Sequence, residues 1–360
     1  MEVPEVVFLG EAYLILENGT VFKGRSFGYD GEAIGELVFS TGMTGYLETL
    51  SDPAYLGQIV LQTFPLIGNY GVIPQDFGPG PVHMKAYIVR QWCQEPSNFR
   101  SEGNLDSFLR EQGTPGICEI DTRALTRLLR ENGVMNAMVS KSPELSGDGW
   151  AELRGYRVTG AVGVASGKWK VENGKCRDGD ADYGKRKVAL WDFGCAPAIA
   201  ERLRELGCDL MMIGCGTSAD DILARNPDGI VLSGGPGDPA ENTHIIGEIR
   251  KLSGSGIPIL AVGLGHQMLA LAFGAKTLKL RFGHRGANQP VRDLRTGRSF
   301  VTTQNHGYAV DKSTLPDCAA VSYENLSDGT CEGIEYSGIP ALSIQFEPTE
   351  EMLDRFIGAM

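Results

Sequence analysis

The sequence predicts an α/β protein in two parts: a β-rich α/β domain at the N-terminus, then a C-terminal half built as a doubly wound parallel sheet. Three observations carry this expectation. From Lys187 onward, continuous apolar runs alternate with amphipathic stretches of helical period. Before Asp148, short apolar runs alternate with glycine-rich turns instead. Between the two patterns the periodicity fades into GKWKVENGKCRDGDADYGKRK, rich in Gly, Lys and Asp, which suits a connector better than a core. The expected division is residues 1–150 for the first domain, 151–186 for the connector and 187–360 for the second domain.

In the N-terminal part, AYLILENGTVFKGRSFG reads as a hairpin, with Asn18 and Gly19 supplying the positive φ angles of a tight turn. The stretch Asp121 to Asn132 reads as a surface helix packed on that sheet: Asp121 caps its amides, and Leu125, Leu128 and Leu129 fall on one face. In the C-terminal part, KVALWDFG, CDLMMIG, GIVLSGG and PILAVG read as buried strands. AIAERLRELG, SADDILARN and HQMLALAFG read as the helices between and after them. A parallel sheet covered on both faces places its ligands outside the carboxyl ends of the strands, so the motifs there decide the chemistry.

Composition narrows the partners. A net charge of -12 and the absence of any Lys/Arg run longer than Lys185-Arg186-Lys187 argue against nucleic acid or an anionic membrane surface. The first residues carry glutamates where a secretory signal carries basic residues, and no apolar stretch reaches the length of a bilayer span, so a cytoplasmic location is expected. Eight cysteines are scattered without a CxxC pair or a Cys/His cluster, which indicates neither a disulfide framework nor a metal site. Buried thiols explain them, Cys195 and Cys215 at strand ends included.

Two strand ends have the shape of a catalytic site. In LSGGPGDP, Leu232 to Pro239, a strand breaks into a glycine turn whose amides can face a developing negative charge, as in an oxyanion hole. A turn that keeps glycine for steric reasons alone has the same sequence. In ILAVGLGHQMLAL, a strand turns sharply at Gly263-Leu264-Gly265 into a helix beginning near His266. That is the form of a nucleophile elbow, which presents one side chain at a helix N-terminus. Here the presenting position is a glycine.

With TTQNHGYAVD and ALSIQFEPTEEMLDRF downstream, the chain resembles the small, glutamine-hydrolysing subunit of carbamoyl phosphate synthetase, a class I (triad) glutamine amidotransferase. The resemblance spans nearly the whole chain. It includes GEAIGELVFSTGMTGYLETLSDPAY, FPLIGNYG and EIDTRALTRLLRENG in the first half, and NPDGIVLSGGPGDP, GLGHQMLALAFGAKTLKLRFGHRGANQPV and TQNHGYAVD in the second. It implies a C-terminal domain of the class I glutamine amidotransferase fold. A large-subunit partner would carry ATP and magnesium, and this chain would need no cofactor of its own. It also implies a glutamine pocket at Ala54, Gly235, Gly237, Leu264, Gln267, Asn305, Gly307 and Tyr308.

The departures from the family fall on its triad. Where the family reads G-I-C-L-G-H-Q, this chain has Gly263 in place of the cysteine. Where the family reads Q-F-H-P-E, it has Glu347 and Thr349 in place of the histidine and glutamate. The serine of DPSY is Ala54, FG-K-N-I has become Phe193-Gly194-Cys195-Ala196-Pro197, and the loop after the histidine motif is shortened. Without a nucleophile and its base, covalent amide hydrolysis is not expected. His306 belongs by resemblance to a segment lining the pocket, not to the triad. The expectation is therefore a small subunit that has lost glutaminase chemistry and serves assembly or regulation of the large subunit. The alternative is a stand-alone pseudo-enzyme that binds glutamine or another amino acid.

Overall fold

A computed structural model describes residues 10–77, 81–167 and 186–360, in two compact units, 1–158 and 159–360. In the N-terminal unit the expected hairpin forms: β1 (Glu11–Leu16) pairs antiparallel with β2 (Val21–Gly28). Its turn differs in one respect. Gly19 has φ +89° and Asn18 is not in the left-handed region. The Gly19 amide donates to the Leu16 carbonyl and the Leu16 amide to Thr20, so a single glycine reverses the chain.

The unit continues through β3 (Ala33–Ser40), α1 (Tyr46–Ser51), β4 (Gln58–Gln62), β5 (Leu66–Ile67), β6 (Ala86–Ile88), β7 (Gln91–Trp92), α2 (Leu105–Glu111) and β8 (Pro115–Cys118). It ends with α3 (Thr122–Asn132), β9 (Met135–Ser140) and α4 (Gly147–Gly155). Among the described residues, β1-β2-β8-β6-β4-β3-β9 close into a barrel, with β5 and β7 pairing beside it. The expected surface helix is α3. Asp121 accepts from the Ala124 amide at 2.9 Å, Leu125 and Leu129 are buried, and Leu128 at the edge of the stripe is half-buried.

The C-terminal unit contains α5 (Ala161–Ala165), β10 (Lys187–Asp192), α6 (Ala196–Glu205), β11 (Asp209–Gly214), α7 (Ala219–Leu223), β12 (Gly229–Leu232), α8 (Thr243–Ser253), β13 (Ile259–Val262) and α9 (Leu264–Ala272). After these come β14 (Lys276–Asp293), β15 (Ser299–Asp311), β16 (Ala319–Asn325), β17 (Cys331–Tyr336), β18 (Ala341–Ile344) and α10 (Glu350–Ala359). The stretch read as connector is thus helical in part, since α4 and α5 lie in or beside it; residues 168–185 lie outside the described residues.

The sheet order is β11-β10-β12-β13-β18-β17-β15-β14-β16. Its first five strands are parallel, as the alternation of strand and helix predicts. The remaining four are antiparallel, which the sequence reading did not foresee; β16 also pairs with β17, so these four strands form a closed ring.

Alternation within the central strands builds two cores. Ala189, Trp191, Ile230 and Leu232 face a cluster with Ile249, Leu252, Met268 and Leu269 from α8 and α9. Val188, Leu190, Val231 and Leu260 face Ile199 and Leu203 of α6 and Leu353 and Phe356 of α10. Strands buried on both faces read as continuous apolar runs, and this is why they were legible.

In the N-terminal unit, Asp121→Ala is expected to cost about 1 kcal/mol. A lower urea midpoint with an unchanged slope for that unit's transition checks it; no shift would mean the cap is not used.

Candidate functional site

The turn from β13 into α9 has the form the sequence predicts, though its helix begins at Leu264 and not near His266. Gly263 takes φ +55° and ψ -113°, a conformation costly for any residue with a Cβ. Its amide donates to the Ile344 carbonyl at the end of β18, and its carbonyl accepts from the Gln267 amide. A Cβ at Gly263 would lie 3.4 Å from Gly234 Cα and 3.9 Å from the Gln345 carbonyl. The elbow position therefore stands between the LSGGPG turn and the segment after β18, with room for a Cβ.

The neighbouring glycines are different. A Cβ at Gly265 would sit 2.5 Å from the Leu232 carbonyl oxygen, and one at Gly235 would sit 2.2 Å from that of Phe193. Gly237 has φ +90°. The first two are required by close backbone approach and Gly237 by its positive φ, whatever the site does.

Ser233, fully buried, ties these turns together. Its hydroxyl accepts from the Phe193 amide at 2.8 Å and donates to the Gly234 carbonyl at 2.8 Å, and its carbonyl accepts from the Gly265 amide at 3.0 Å. Leu264 is buried in the core, and its amide, the first of α9, has no partner within the helix. Cys195 is half-buried against the same Gly234, its Cβ 3.4 Å from where a Cβ of that glycine would be; Cys215 is half-buried beside the core.

Gln267 is buried and bridges two segments. Its Nε2 donates to the Tyr308 carbonyl at 2.7 Å and to Gln345 Oε1 at 2.8 Å. Asn305, Gly307 and Tyr308 lie on β15, and a Cβ at Gly307 would touch Arg285 at 3.1 Å. The C-terminal unit thus gathers Gly235, Gly263, Leu264, Gln267 and Tyr308 around the strand ends. Ala54 belongs to the N-terminal unit, half-buried in the turn Pro53–Tyr55, where its amide donates to Asp52 Oδ1.

Glu347 and Thr349 each have a local structural setting. Glu347 is exposed, and its amide donates to the Thr303 carbonyl at 3.4 Å. Thr349 is the N-cap of α10, its hydroxyl accepting from the Met352 amide. Between them and β18, Phe346 is buried edge-on against Phe300 and Tyr323.

Three histidines surround this region. His266 is fully buried, its Nδ1 2.7 Å from Ser343 Oγ, and burial pulls its pKa down to about 3. His306 is buried on β15; burial and the neighbouring His284 hold it well below the ordinary imidazole range. His284 is buried on β14. Burial works against its charge, but Asp328 and Glu332 outweigh it and push its pKa up to about 9. The sequence reading did not single out His284 or Glu332, because the strands that join them to His306 were not recognised.

Residues 14–139 match the family model "Carbamoyl-phosphate synthase small chain, CPSase domain", and residues 189–352 match "Glutamine amidotransferase class-I". A carbamoyl phosphate synthase small chain from Syntrophotalea carbinolica is 42% identical over 94% of this chain and 92% of its own length. That of Clostridium perfringens is 43% identical over 94% of both chains. This chain belongs to the carbamoyl phosphate synthase small-chain family. The match supports the α/β fold with a class I amidotransferase-like C-terminal unit. No helix among the described residues is long and apolar enough to cross a membrane.

Gly263→Cys is expected to fold at a cost of about 1–3 kcal/mol from its backbone angles. Gly265→Ala should be far more disruptive, since backbone must move, and comparing the two by thermal unfolding decides it. For His266 the folded pKa lies below the unfolded value of about 6.5. Its contribution is therefore intact above pH 6.5 and is lost as pH falls toward 3, at up to about 1.4 kcal/mol per pH unit. His266→Gln should flatten that slope in urea titrations between pH 7 and 5; an unchanged slope would assign the acid sensitivity elsewhere.

Proposed function

We propose that this chain is a carbamoyl phosphate synthase small subunit that no longer hydrolyses glutamine and acts as an assembly or regulatory partner of the large subunit. The observation that carries the reading is the elbow. Gly263 stands where the family's cysteine attacks, and it offers no atom for an acyl intermediate. Glu347 and Thr349, in place of the imidazole base and its orienting carboxylate, compound the loss: a solvent-exposed carboxylate is a weaker base at neutral pH, and the threonine hydroxyl caps a helix. Removing such a nucleophile commonly costs several orders of magnitude in rate.

On this reading the large subunit binds ATP and magnesium and makes carbamoyl phosphate, for pyrimidine and arginine synthesis, from free ammonia. The complex works in the cytoplasm. Glutamine binding is not required for this role, because the glycines at 235, 237 and 265 are explained by close backbone approach or positive φ alone.

A coupled assay with the cognate large subunit tests it. Ammonia should support carbamoyl phosphate formation, and glutamine should not do so above the rate of the large subunit alone. Glutamine-dependent synthesis far above that rate contradicts the proposal. Saturable glutamine binding without a stable large-subunit complex would favour a stand-alone binding protein instead. The combined substitution Gly263→Cys, Glu347→His and Thr349→Glu is expected to raise glutaminase activity about 10²-fold or more over background. No gain in a folded triple variant would mean that more than the triad has been lost.

A further inference from the structure

The closed ring of β14, β15, β16 and β17 has a polar interior. His284 from β14, Gln304 and His306 from β15, Asn325 at the end of β16 and Glu332 from β17 are all buried. The two imidazole rings meet edge to face with centroids 5.0 Å apart. Their hydrogen-bond partners do not balance.

His306 Nδ1 lies 2.7 Å from the Tyr308 carbonyl, and its Nε2 lies 3.0 Å from Gln304 Oε1. Both partners are acceptors, while a neutral imidazole has one N–H. Reversing the Gln304 amide sets an oxygen against the ionised Glu332 carboxylate, since Gln304 Nε2 lies 3.0 Å from Glu332 Oε2, and removes the conflict only where Glu332 is protonated. His284 is similar. Its Nε2 lies 2.9 Å from Asp328 Oδ2, and its Nδ1 faces Gln304 Oε1 at 3.2 Å, Glu332 Oε1 at 3.3 Å and one amide donor, Asn325 Nδ2, at 3.4 Å. With Glu332 ionised, satisfying the acceptors with protons alone needs two imidazolium rings side by side in a buried ring of strands.

A metal ion resolves the conflict with both rings neutral. We propose that His284 Nδ1, His306 Nε2 and Glu332 bind a divalent transition metal of the zinc type, with Gln304 Oε1 as a further oxygen donor. One donor atom from each of His284, His306 and Glu332 lies within 4.8 Å of the others. A tetrahedral ion with arms of about 2.0–2.1 Å separates its donors by about 3.3–3.4 Å. Three of the six donor separations, 3.3, 3.2 and 3.0 Å, are close to this, and those among His284, His306 and Glu332 are all within 4.8 Å.

The outer contacts also fit. Each ligating histidine would donate its other N–H, His284 Nε2–H to the Asp328 carboxylate and His306 Nδ1–H to the Tyr308 carbonyl, the usual arrangement around a bound metal. Two imidazoles with a carboxylate suit zinc and its neighbours over magnesium or calcium. The ion would clamp three strands, including the one that carries Asn305, Gly307 and Tyr308.

The test uses the full chain, its thiols blocked by alkylation and its metals removed with a chelator, then titrated with Co²⁺ and Zn²⁺. One equivalent of Co²⁺ should give the strong visible absorption of a four-coordinate ion, Zn²⁺ should displace it, and thermal unfolding should move upward. His306→Gln and Glu332→Gln should each weaken binding about 100-fold or more, and Asp328→Asn about 10–100-fold. His83→Gln, in the other unit, should leave it unchanged. If the ligand variants do not fold, ¹⁵N spectra of the wild-type imidazoles decide: Zn²⁺ should shift His284 Nδ1 and His306 Nε2 while both remaining N–H protons persist. A folded wild-type chain that takes up no equivalent of either ion, or binding that survives all three substitutions, overturns the proposal.

Discussion

The C-terminal unit depends on the close approach of α9 to the end of β12. The helix enters so near the Leu232 carbonyl that only glycine fits at 265, and the buried Ser233 fastens the turns after β10 and β12 and the elbow after β13 to one another. Three strand ends thereby become one steric unit. Because their glycines are fixed by sterics or by positive φ, their presence says little about whether a reaction occurs there.

Gly263 stands apart from this logic. Space at the elbow would accommodate a Cβ, so no neighbour enforces glycine there; the backbone angles favour it. A side chain held at those angles stores strain of about 1–3 kcal/mol, tolerated where catalysis depends on it. Glycine at that position carries neither a reactive group nor that strain. Thr349 follows the same direction. Its hydroxyl caps α10, whose Met352, Leu353 and Phe356 fill one of the two cores, so Thr349 serves packing.

Much of this was legible in the sequence, for physical reasons. The central parallel strands β10, β12 and β13 are buried on both faces and read as unbroken apolar runs, whereas β11, expected to be buried, is an edge strand and mostly half-buried; the Asp121 cap marks its helix start, and Gly263-Leu264-Gly265 marks the elbow. The antiparallel strands were not legible. The run from Lys276 to Asp293 contains Gly283, Gly286 and Pro290, and register shifts between Lys279 and His284 and between Gly286 and Gln289 break its alternation. Its strand character comes from its partners. The same failure hid the polar interior, since His284, His306 and Glu332 lie far apart in the chain and only pairing through the ring brings them together. Asn18 was misread for a smaller reason: in this turn one left-handed residue suffices.

The elbow and the polar ring are not independent. The Tyr308 carbonyl accepts from Gln267 Nε2 at 2.7 Å on one side and lies 2.7 Å from His306 Nδ1 on the other. Gln267 also reaches Gln345, beside the segment that carries Glu347. A carbonyl held between a helix amide and an imidazole has little freedom, so whatever fixes His306 also fixes β15 relative to α9. The ring interior and the elbow helix thus meet at one backbone oxygen, that of Tyr308, whether or not the elbow carries a nucleophile.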